Sequence, residues 1–244
     1  MNDSSRLVAL VTGANKGIGL EIARRLGQAG MTVLIGARNE RLGQEAAAKL
    51  QAENLDARYI KLDVNQPATV EAAATAISGE FRRLDVLVNN AGILEPTDGP
   101  PGSADLSAVR RTMDTNFHGA VVVTQALLPL IRQASAGRIV NVSSGLGSIA
   151  RNGDPDWEYA SVKLLGYNAS KAALNMLTVQ LAWELRGTPI KVNSANPGYT
   201  ATDLNGHRGR QTVEQGAAEA VRLALLPPDG PTGGFFQSAG PDPW

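Results

Sequence analysis

The stretch "VTGANKGIG", Val11–Gly19, joins an apolar run to a segment with helical periodicity. Its three glycines are Gly13, Gly17 and Gly19. Glycines in a strand-to-helix turn allow a tight bend and the close approach of a phosphate, and the free N–H groups of the following helix attract its charge. The stretch therefore predicts a buried strand, a turn that binds the pyrophosphate of a dinucleotide, and an amphipathic helix.

Short apolar runs recur along the chain and alternate with longer segments of helical periodicity. They are rich in Val, Ile and Leu without strict alternation, as expected of parallel strands that are buried on both faces. We therefore predict an α/β fold, with a Rossmann-type doubly wound parallel sheet of about seven strands and helices on both faces, in a single domain over residues 1–244. The runs are residues 7–13, 32–38, 57–63, 85–92, 137–144, 190–198 and 233–240.

Irregular segments follow several of these runs. The Pro/Gly-rich stretch 94–105 and the stretch 145–158 come directly after predicted strands, and so does 199–211. Ligands of doubly wound sheets bind beyond the carboxyl ends of the strands. We therefore expect these three segments to be the substrate loops.

Composition narrows the class of protein. The 244 residues are 43% hydrophobic, the 23 basic residues balance the 23 acidic ones, and there is no cysteine. Nothing in this balance suggests a nucleic-acid partner, and disulfides, thiol nucleophiles and Cys-ligated zinc are excluded. The start lacks the pattern of a signal peptide and no apolar run is long enough for a membrane span. We expect a cytoplasmic protein without a metal site.

The end of the second predicted strand indicates which dinucleotide is bound. An acidic residue there would bond the ribose 2′-hydroxyl of NAD, but this strand ends "LIGARNE", with Arg38 in that neighbourhood. Lys16, in the glycine turn, could reach the same ribose. Because two cations suit a 2′-phosphate, the sequence predicts NADP(H).

A second stretch, "EYASVKLLGYNASKAAL" (158–174), contains the same spacing twice. Tyr159 precedes Lys163 by four residues, and Tyr167 precedes Lys171 by four. Side chains at i and i+4 of a helix share a face, and a nearby ammonium favours ionisation of a phenol. Either pair is therefore a candidate for acid–base catalysis.

Taken together, these features resemble the short-chain dehydrogenase/reductase family. The motifs in their order are "TGANKGIG", "LDV", "NNAG", "MDTNFHG", "IVNVSS", "YNASK" and "NPGYTATDL", which cover nearly the whole chain. The glycine turn, Arg38, the delayed tyrosine and the C-terminal residues are most similar to the NADPH-dependent carbonyl reductase branch. The resemblance implies hydride transfer between NADP(H) and a small carbonyl compound.

The same resemblance implies a set of residues that contact the cofactor. They are Gly13, Asn15, Lys16, Gly17, Ile18, Gly19, Arg38, Asp63, Val64, Asn90, Ala91, Gly92, Tyr167, Lys171, Pro197, Gly198, Thr200 and Thr202.

The implied catalytic residues are Asn116, Ser144, Tyr167 and Lys171. Tyr167 would donate the proton, with its pKa lowered by Lys171, and Ser144 would hold the carbonyl oxygen. By resemblance, Lys171 also binds the nicotinamide ribose and Asn116 holds a relay water. The family motif selects Ser144 over Ser143.

Tyr167–Lys171 is preferred over the first pair for local reasons as well. The segment "AALNMLTVQLAWELR" after Lys171 keeps an apolar stripe, whereas Gly166 would weaken a helix through the first pair. We expect Leu146 and Tyr199 to line the substrate pocket together with Ser144 and Tyr167. His118 and His207 are expected to be a helix residue and a solvated loop residue.

These residues predict an enzyme that reduces a ketone or aldehyde to an alcohol. An NAD-linked alcohol dehydrogenase and a non-catalytic NADP-binding sensor of the same fold remain alternatives. Many members of the family assemble through the helices after strands four and five, which leaves a homo-oligomer open for this chain.

Overall fold

One sheet runs through the protein in the computed structural model, which describes residues 6–244. Its strands are β1 (Val8–Thr12), β2 (Thr32–Ala37), β3 (Ala57–Lys61), β4 (Val86–Asn89), β5 (Arg138–Val142), β6 (Lys191–Ala195), β7 (Phe235–Gln237) and β8 (Gly240–Pro241). Their order in the sheet is β3-β2-β1-β4-β5-β6-β7-β8. Neighbours from β3 to β7 pair in parallel, and β8 pairs antiparallel with β7. The chain direction across the sheet reverses between β1 and β4, so a crevice is expected at their carboxyl ends.

Helices cover both faces of this sheet. They are α1 (Gly17–Gln28), α2 (Glu40–Ala52), α3 (Pro67–Phe81), α4 (Leu106–Met113), α5 (Gly119–Ile131), α6 (Ile149–Gly153), α7 (Leu165–Glu184) and α8 (Val213–Ala224). A π-helical turn, Asp114–His118, joins α4 to α5. Apolar residues of α1, α2 and α8 form one core layer, and those of α3, α5 and α7 form the other.

Strand β1 shows why the sequence lacks polar–apolar alternation. Ala9 and Val11 pack into the layer of α1, α2 and α8, whereas Val8 and Leu10 pack into the opposite layer. Successive side chains of a strand point to opposite faces, and here both faces are covered by helices. All five residues of β1 are consequently buried.

The predicted doubly wound sheet is confirmed, with two differences in detail. The two-residue β8 adds an antiparallel strand at the edge of the sheet. A segment of two residues is too short to show a hydrophobic periodicity in the sequence. The stretch 145–158 contains α6, which begins where Ser148 Oγ accepts a hydrogen bond from the main-chain N–H of Arg151 at 3.1 Å.

Residues 6–244 contain neither a membrane-spanning helix nor a cluster of metal ligands. None of their helices combines the length and apolar character needed to cross a bilayer. Within the same range, no group of three or more acidic or histidine side chains is placed to hold a metal ion.

Candidate active site

The glycine turn after β1 has the backbone that only glycine adopts easily. Gly13 and Gly17 have φ of +64° and +56°. A Cβ on Gly19 would collide with the Asn90 amide and lie 2.8 Å from the carbonyl oxygen of Gly13. Lys16, at the N-cap position of α1, makes no capping hydrogen bond, so the first N–H groups of the helix can receive a ligand. This turn fits the pyrophosphate of a dinucleotide.

Side chains at the switch point hold the two neighbouring strand ends together. Thr12 Oγ1 accepts hydrogen bonds from the main-chain N–H groups of Asn90 (2.9 Å) and Ala91 (3.0 Å). The Asn90 side-chain amide donates to the carbonyl oxygens of Thr12 (2.8 Å) and Gly13 (3.3 Å). The "NNAG" motif therefore fixes the shape of the glycine turn from the adjacent strand.

The two predicted phosphate-binding cations differ in their surroundings. Arg38 is exposed at the end of β2 and forms no hydrogen bond or ion pair with other residues of 6–244. Lys16 Nζ lies 2.6 Å from Asp203 Oδ2. Arg38 is thus available to an anion, whereas Lys16 must leave or share its carboxylate partner.

The segment after β6 lies against the glycine turn. Gly198 turns the chain with φ of +70°, and Thr200 Oγ1 donates to the Pro197 carbonyl at 3.0 Å. The methyl group of Thr202 lies 3.7 Å from where a Cβ on Gly17 would stand. The predicted contacts from Pro197 to Thr202 therefore border the same crevice.

The remaining predicted cofactor contacts lie along the carboxyl edge of the sheet. Asp63 is half-buried after β3, and its Oδ1 accepts from the Asn65 N–H at 3.0 Å. Val64 packs where a Cβ on Gly119 would stand, so Gly119 lets the helix approach. Asn15, Ile18, Ala91 and Gly92 are half-buried at the crevice.

Tyr167 and Lys171 lie one turn apart on α7. Lys171 is 4% exposed, its Nζ donates to the carbonyl oxygen of Val142 at 2.8 Å, and it lies 5.7 Å from the Tyr167 ring centroid. Burial lowers the pKa of Lys171 to about 8. Burial also raises the pKa of Tyr167, with a smaller opposing effect from its hydrogen bond with Ser144. The direction is opposite to the lowering expected from the sequence, because desolvation of the phenol outweighs its neighbours here.

The adjacent serines after β5 have different partners. The hydroxyl of Ser144 is hydrogen-bonded to Tyr167, and its Oγ accepts from the Leu146 N–H at 3.2 Å. Ser143 is buried and donates to the main-chain carbonyl of Lys171 at 3.4 Å. Ser144 therefore shares the phenol's surroundings, whereas Ser143 contacts the backbone of α7.

Asn116 lies in the π-helical turn and is almost fully buried. Its Oδ1 accepts from the Ile93 N–H at 2.8 Å, and its Nδ2 donates to the Ile93 carbonyl at 2.9 Å and to Ser170 Oγ at 3.0 Å. A Cβ on Gly92 would stand 3.4 Å from Asn116 Oδ1 and 3.5 Å from Lys171 Nζ. Gly92 therefore lies between the amide and the ammonium without crowding either of them.

The other tyrosine–lysine pair lies outside the helix. Tyr159 lies in a turn before α7, and Lys163 lies in the irregular residues 162–164 that follow it. Lys163 is exposed, and its Nζ donates to the Asn152 carbonyl at 3.1 Å. Tyr159 packs edge-on against Trp157 and Tyr199, at centroid distances of 5.5 and 5.9 Å. Because these residues are not helical, the side chains of Tyr159 and Lys163 do not share a helical face.

Trp157 and Tyr159 precede α7 in a segment without helix or strand. The Trp157 ring lies 3.4 Å from where a Cβ on Gly145 would stand, next to Ser144. Trp157, Tyr159 and Tyr199 form an aromatic cluster, whose Trp157 ring packs beside Gly145. Half-buried Leu146 is the next residue in the chain. The sequence feature that points to this cluster is the presence of two aromatic residues close together in an irregular segment.

A buried carboxylate supports this wall from the C-terminal segment. Asp242 forms an ion pair with Arg151 of α6 and accepts a hydrogen bond from the Asn196 amide at 2.6 Å. Trp244 stacks on Phe235, and its carbonyl accepts from the Ala150 N–H at 2.9 Å. These partners are too far apart in sequence for spacing to have revealed them.

Both histidines are exposed and paired with aspartates. His118 Nδ1 lies 3.0 Å from Asp114, and His207 Nε2 lies 2.8 Å from Asp203. Lys16, with a smaller contribution from His207, lowers the pKa of Asp203. Neither histidine has a contact with Tyr167 or Ser144 that would make it a base for them.

The chain was compared with known families and proteins. The short chain dehydrogenase family model matches residues 7–212. Carbonyl reductase (NADPH) 1 of Mus musculus is 38% identical, with 99% of each chain covered, and a (+)-neomenthol dehydrogenase of Capsicum annuum is 31% identical, with 96% of each covered. The structure of NADPH-bound carbonyl reductase from chicken fatty liver superposes with a TM-score of 0.85 at 28% identity, covering 98% of this chain and 100% of that one.

These matches extend over the glycine turn, the strand-end motifs and α7 together. The protein is an oxidoreductase, and it belongs to the short-chain dehydrogenase/reductase family.

Proposed function

We propose that this protein reduces the carbonyl group of a small ketone or aldehyde, with NADP(H) as the hydride carrier, and that the whole chain forms one cofactor-binding and catalytic domain. The observation that carries the proposal is the group formed by Tyr167, Ser144 and Lys171 at the carboxyl edge of β5, beside the glycine turn. The similarity to NADPH-dependent carbonyl reductases supports the same chemistry.

The cofactor supplies a hydride when it is bound, and the chain's own residues hold it. The glycine turn and the start of α1 receive the pyrophosphate. The free guanidinium of Arg38 binds the ribose 2′-phosphate, and Lys16 assists once its ammonium is shared between Asp203 and the phosphate. Lys171, whose ammonium already lies at the edge of the crevice, binds the nicotinamide ribose.

Tyr167 acts as the proton donor. Desolvation raises the pKa of its half-buried phenol, so the phenol remains protonated at neutral pH, as a donor to a forming alkoxide must be. Ser144, bonded to the same hydroxyl, is placed to hold the carbonyl oxygen in a two-donor pocket.

Proton resupply uses Lys171 and Asn116. With a pKa of about 8, Lys171 gains and releases protons more readily than an ordinary lysine near neutral pH. In this proposal a water near Gly92 would link this ammonium to the Asn116 amide. Such a water would connect the buried lysine to solvent.

The pocket wall favours an apolar substrate. Trp157 of the aromatic cluster packs beside Gly145, the Leu146 N–H bonds Ser144, and Tyr199 of the same cluster remains 37% exposed. Apolar walls with few polar groups are typical of small-molecule sites.

Screening a panel of ketones and aldehydes by NADPH consumption tests the proposal. We expect turnover of at least one carbonyl compound, with NADPH preferred over NADH. A strong preference for NADH would instead indicate an NAD-linked dehydrogenase. Tight NADPH binding without turnover across a broad panel would indicate a sensor.

A further inference from the structure

The N-terminus of the catalytic helix receives its cap from a distant loop. Leu164, at the N-cap position of α7, makes no side-chain capping hydrogen bond. The first N–H groups of any helix lack partners within it. Because Tyr167 lies in this first turn, whatever satisfies these groups also holds the main chain of the tyrosine.

Asp98, in the loop 94–105, supplies the missing acceptors. Its Oδ1 accepts from the Gly166 N–H at 3.0 Å, and its Oδ2 accepts from the Tyr167 N–H at 2.8 Å. The Leu165 N–H donates to the carbonyl oxygen of Gly99 at 2.9 Å. Two consecutive loop residues therefore satisfy three consecutive N–H groups at the start of α7.

Gly166 makes this approach feasible. A Cβ at this position would stand 2.9 Å from the Cα of Val109 and 3.2 Å from Asp98 Oδ2. A side chain would thus push the carboxylate or α4 away from the helix. A glycine that weakens a helix in isolation is here required by the contact between the loop and α7.

The loop that carries Asp98 is braced independently. Asp105 accepts from Thr97 Oγ1 at 3.0 Å and caps α4 through the Ser107 N–H at 2.9 Å. Glu95 is paired with Arg111 at 2.8 Å. Asp105 therefore holds the loop to α4, whereas Asp98 joins the loop to α7.

We propose that Asp98 is a positioning residue for Tyr167, which couples the conformation of the substrate loop 94–105 to the placement of the proton donor. The inference rests on the proposed function, because it takes Tyr167 as the donor. When the loop is in place, the carboxylate fixes the first turn of α7 and with it the hydroxyl beside Ser144. Displacement of the loop releases this turn.

Asp98→Ala and Asp98→Asn test the inference against the matched variant Asp105→Ala, which removes the other aspartate cap of the same loop. Hydrogen exchange of amides in α7 is the first readout. Asp98→Ala should speed exchange at Gly166 and Tyr167 about tenfold, while Leu174 and Leu181 in the middle of the helix report that the fold is retained. Asp105→Ala, which loosens the loop but keeps the carboxylate of Asp98, should speed exchange at the Gly166 and Tyr167 amides less than Asp98→Ala does.

Turnover per bound NADPH is the second readout, with cofactor-binding sites counted by fluorescence titration. We expect Asp98→Ala to lower kcat about tenfold with little change in NADPH affinity, and Asp98→Asn, which keeps one acceptor oxygen, to lower it about threefold. Unchanged exchange at Gly166 and Tyr167 in Asp98→Ala, or equal kcat losses in Asp98→Ala and Asp105→Ala, would overturn the inference. Absence of carbonyl reduction by the unaltered protein would instead count against the proposed function, and the exchange data would still decide whether Asp98 caps α7.

Discussion

Two tyrosine–lysine pairs of identical spacing, eight residues apart in this chain, have very different surroundings. Tyr167 and Lys171 lie on α7, with the lysine buried beneath the end of β5. Tyr159 and Lys163 lie outside any helix or strand, with the ring in the aromatic cluster and the ammonium exposed. A tyrosine and a lysine four residues apart are therefore neighbours on one face only where the chain is helical, and they share a site only where that face is buried.

The start of α7 is what separates the two pairs. Asp98 and Gly99 satisfy the N–H groups of residues 165–167 and so begin the helix just before Tyr167. The helix could not extend back through Tyr159 without losing these contacts. The boundary is thus set by a tertiary contact and not by local propensity.

The largest expected effect is on the proton donor. We expect Tyr167→Phe to lower kcat by about 10²–10⁴-fold, because it removes the donated proton while keeping the ring. Tyr159→Phe should change kcat less than about threefold, since its ring contacts remain. Steady-state NADPH consumption with one reducible carbonyl compares them, and a larger loss in Tyr159→Phe would reverse the assignment.

The second effect concerns stability against pH. The pKa of Lys171 is lowered to about 8, so its buried charge opposes folding at neutral pH, and this cost disappears as pH rises from about 8 to the unfolded value near 10.5. The unaltered protein should gain about 3 kcal/mol relative to Lys171→Met over that interval. Urea unfolding at pH 7 to 10 measures this difference.

Lys163→Met serves as the control for that titration. Lys163→Met removes an exposed lysine instead of a buried one, and its unfolding free energy over the same pH range provides the reference curve. Parallel curves for Lys171→Met would show that the buried lysine does not titrate as described.

A third effect compares the two cations near the glycine turn. Arg38→Ala should raise the KM for NADPH about tenfold or more while leaving that for NADH nearly unchanged, because a charge-assisted bond to the 2′-phosphate is lost. Lys16→Ala should have a smaller effect, since Lys16 is already paired with Asp203. Titrating both variants with NADPH and NADH compares the two effects. A larger rise in the KM for NADPH in Lys16→Ala than in Arg38→Ala would contradict the prediction.

The smallest effect is expected at the aromatic cluster. Trp157→Phe should raise the KM of bulky apolar carbonyl substrates about two- to fivefold, with kcat nearly preserved, because the smaller ring removes contact area without touching Ser144 or Tyr167. Small aliphatic aldehydes are the control substrates. An equal change for both substrate groups would argue against a wall position for Trp157.

Much of the fold could be predicted from the sequence because its signals are local. The runs that become β1, β2, β4 and β5 are buried throughout, and the spacing of Gly13, Gly17 and Gly19 reflects a single turn. The motifs "IVNVSS" and "YNASK" predict Ser144 and Tyr167 as catalytic residues. Their hydrogen bond is consistent with that choice, although it does not test their roles.

The contacts that could not be predicted join residues far apart in the chain. Asp98 is 68 and 69 residues from the N–H groups it accepts from, Lys16 is 187 residues from Asp203, and Arg151 is 91 residues from Asp242. Periodicity and spacing carry no information about such pairs. The direction of the Tyr167 pKa also required the structure, because burial is a property of packing.

Transfer of deuterium from NADPH labelled at the nicotinamide C4 to a prochiral ketone tests the central claim most directly. We predict that the unaltered protein and Tyr159→Phe form one enantiomer of the alcohol with deuterium on the carbinol carbon at similar rates, and that Tyr167→Phe binds NADPH but forms at least about a hundredfold less of this product. Equal deuterium transfer by Tyr167→Phe would contradict the account.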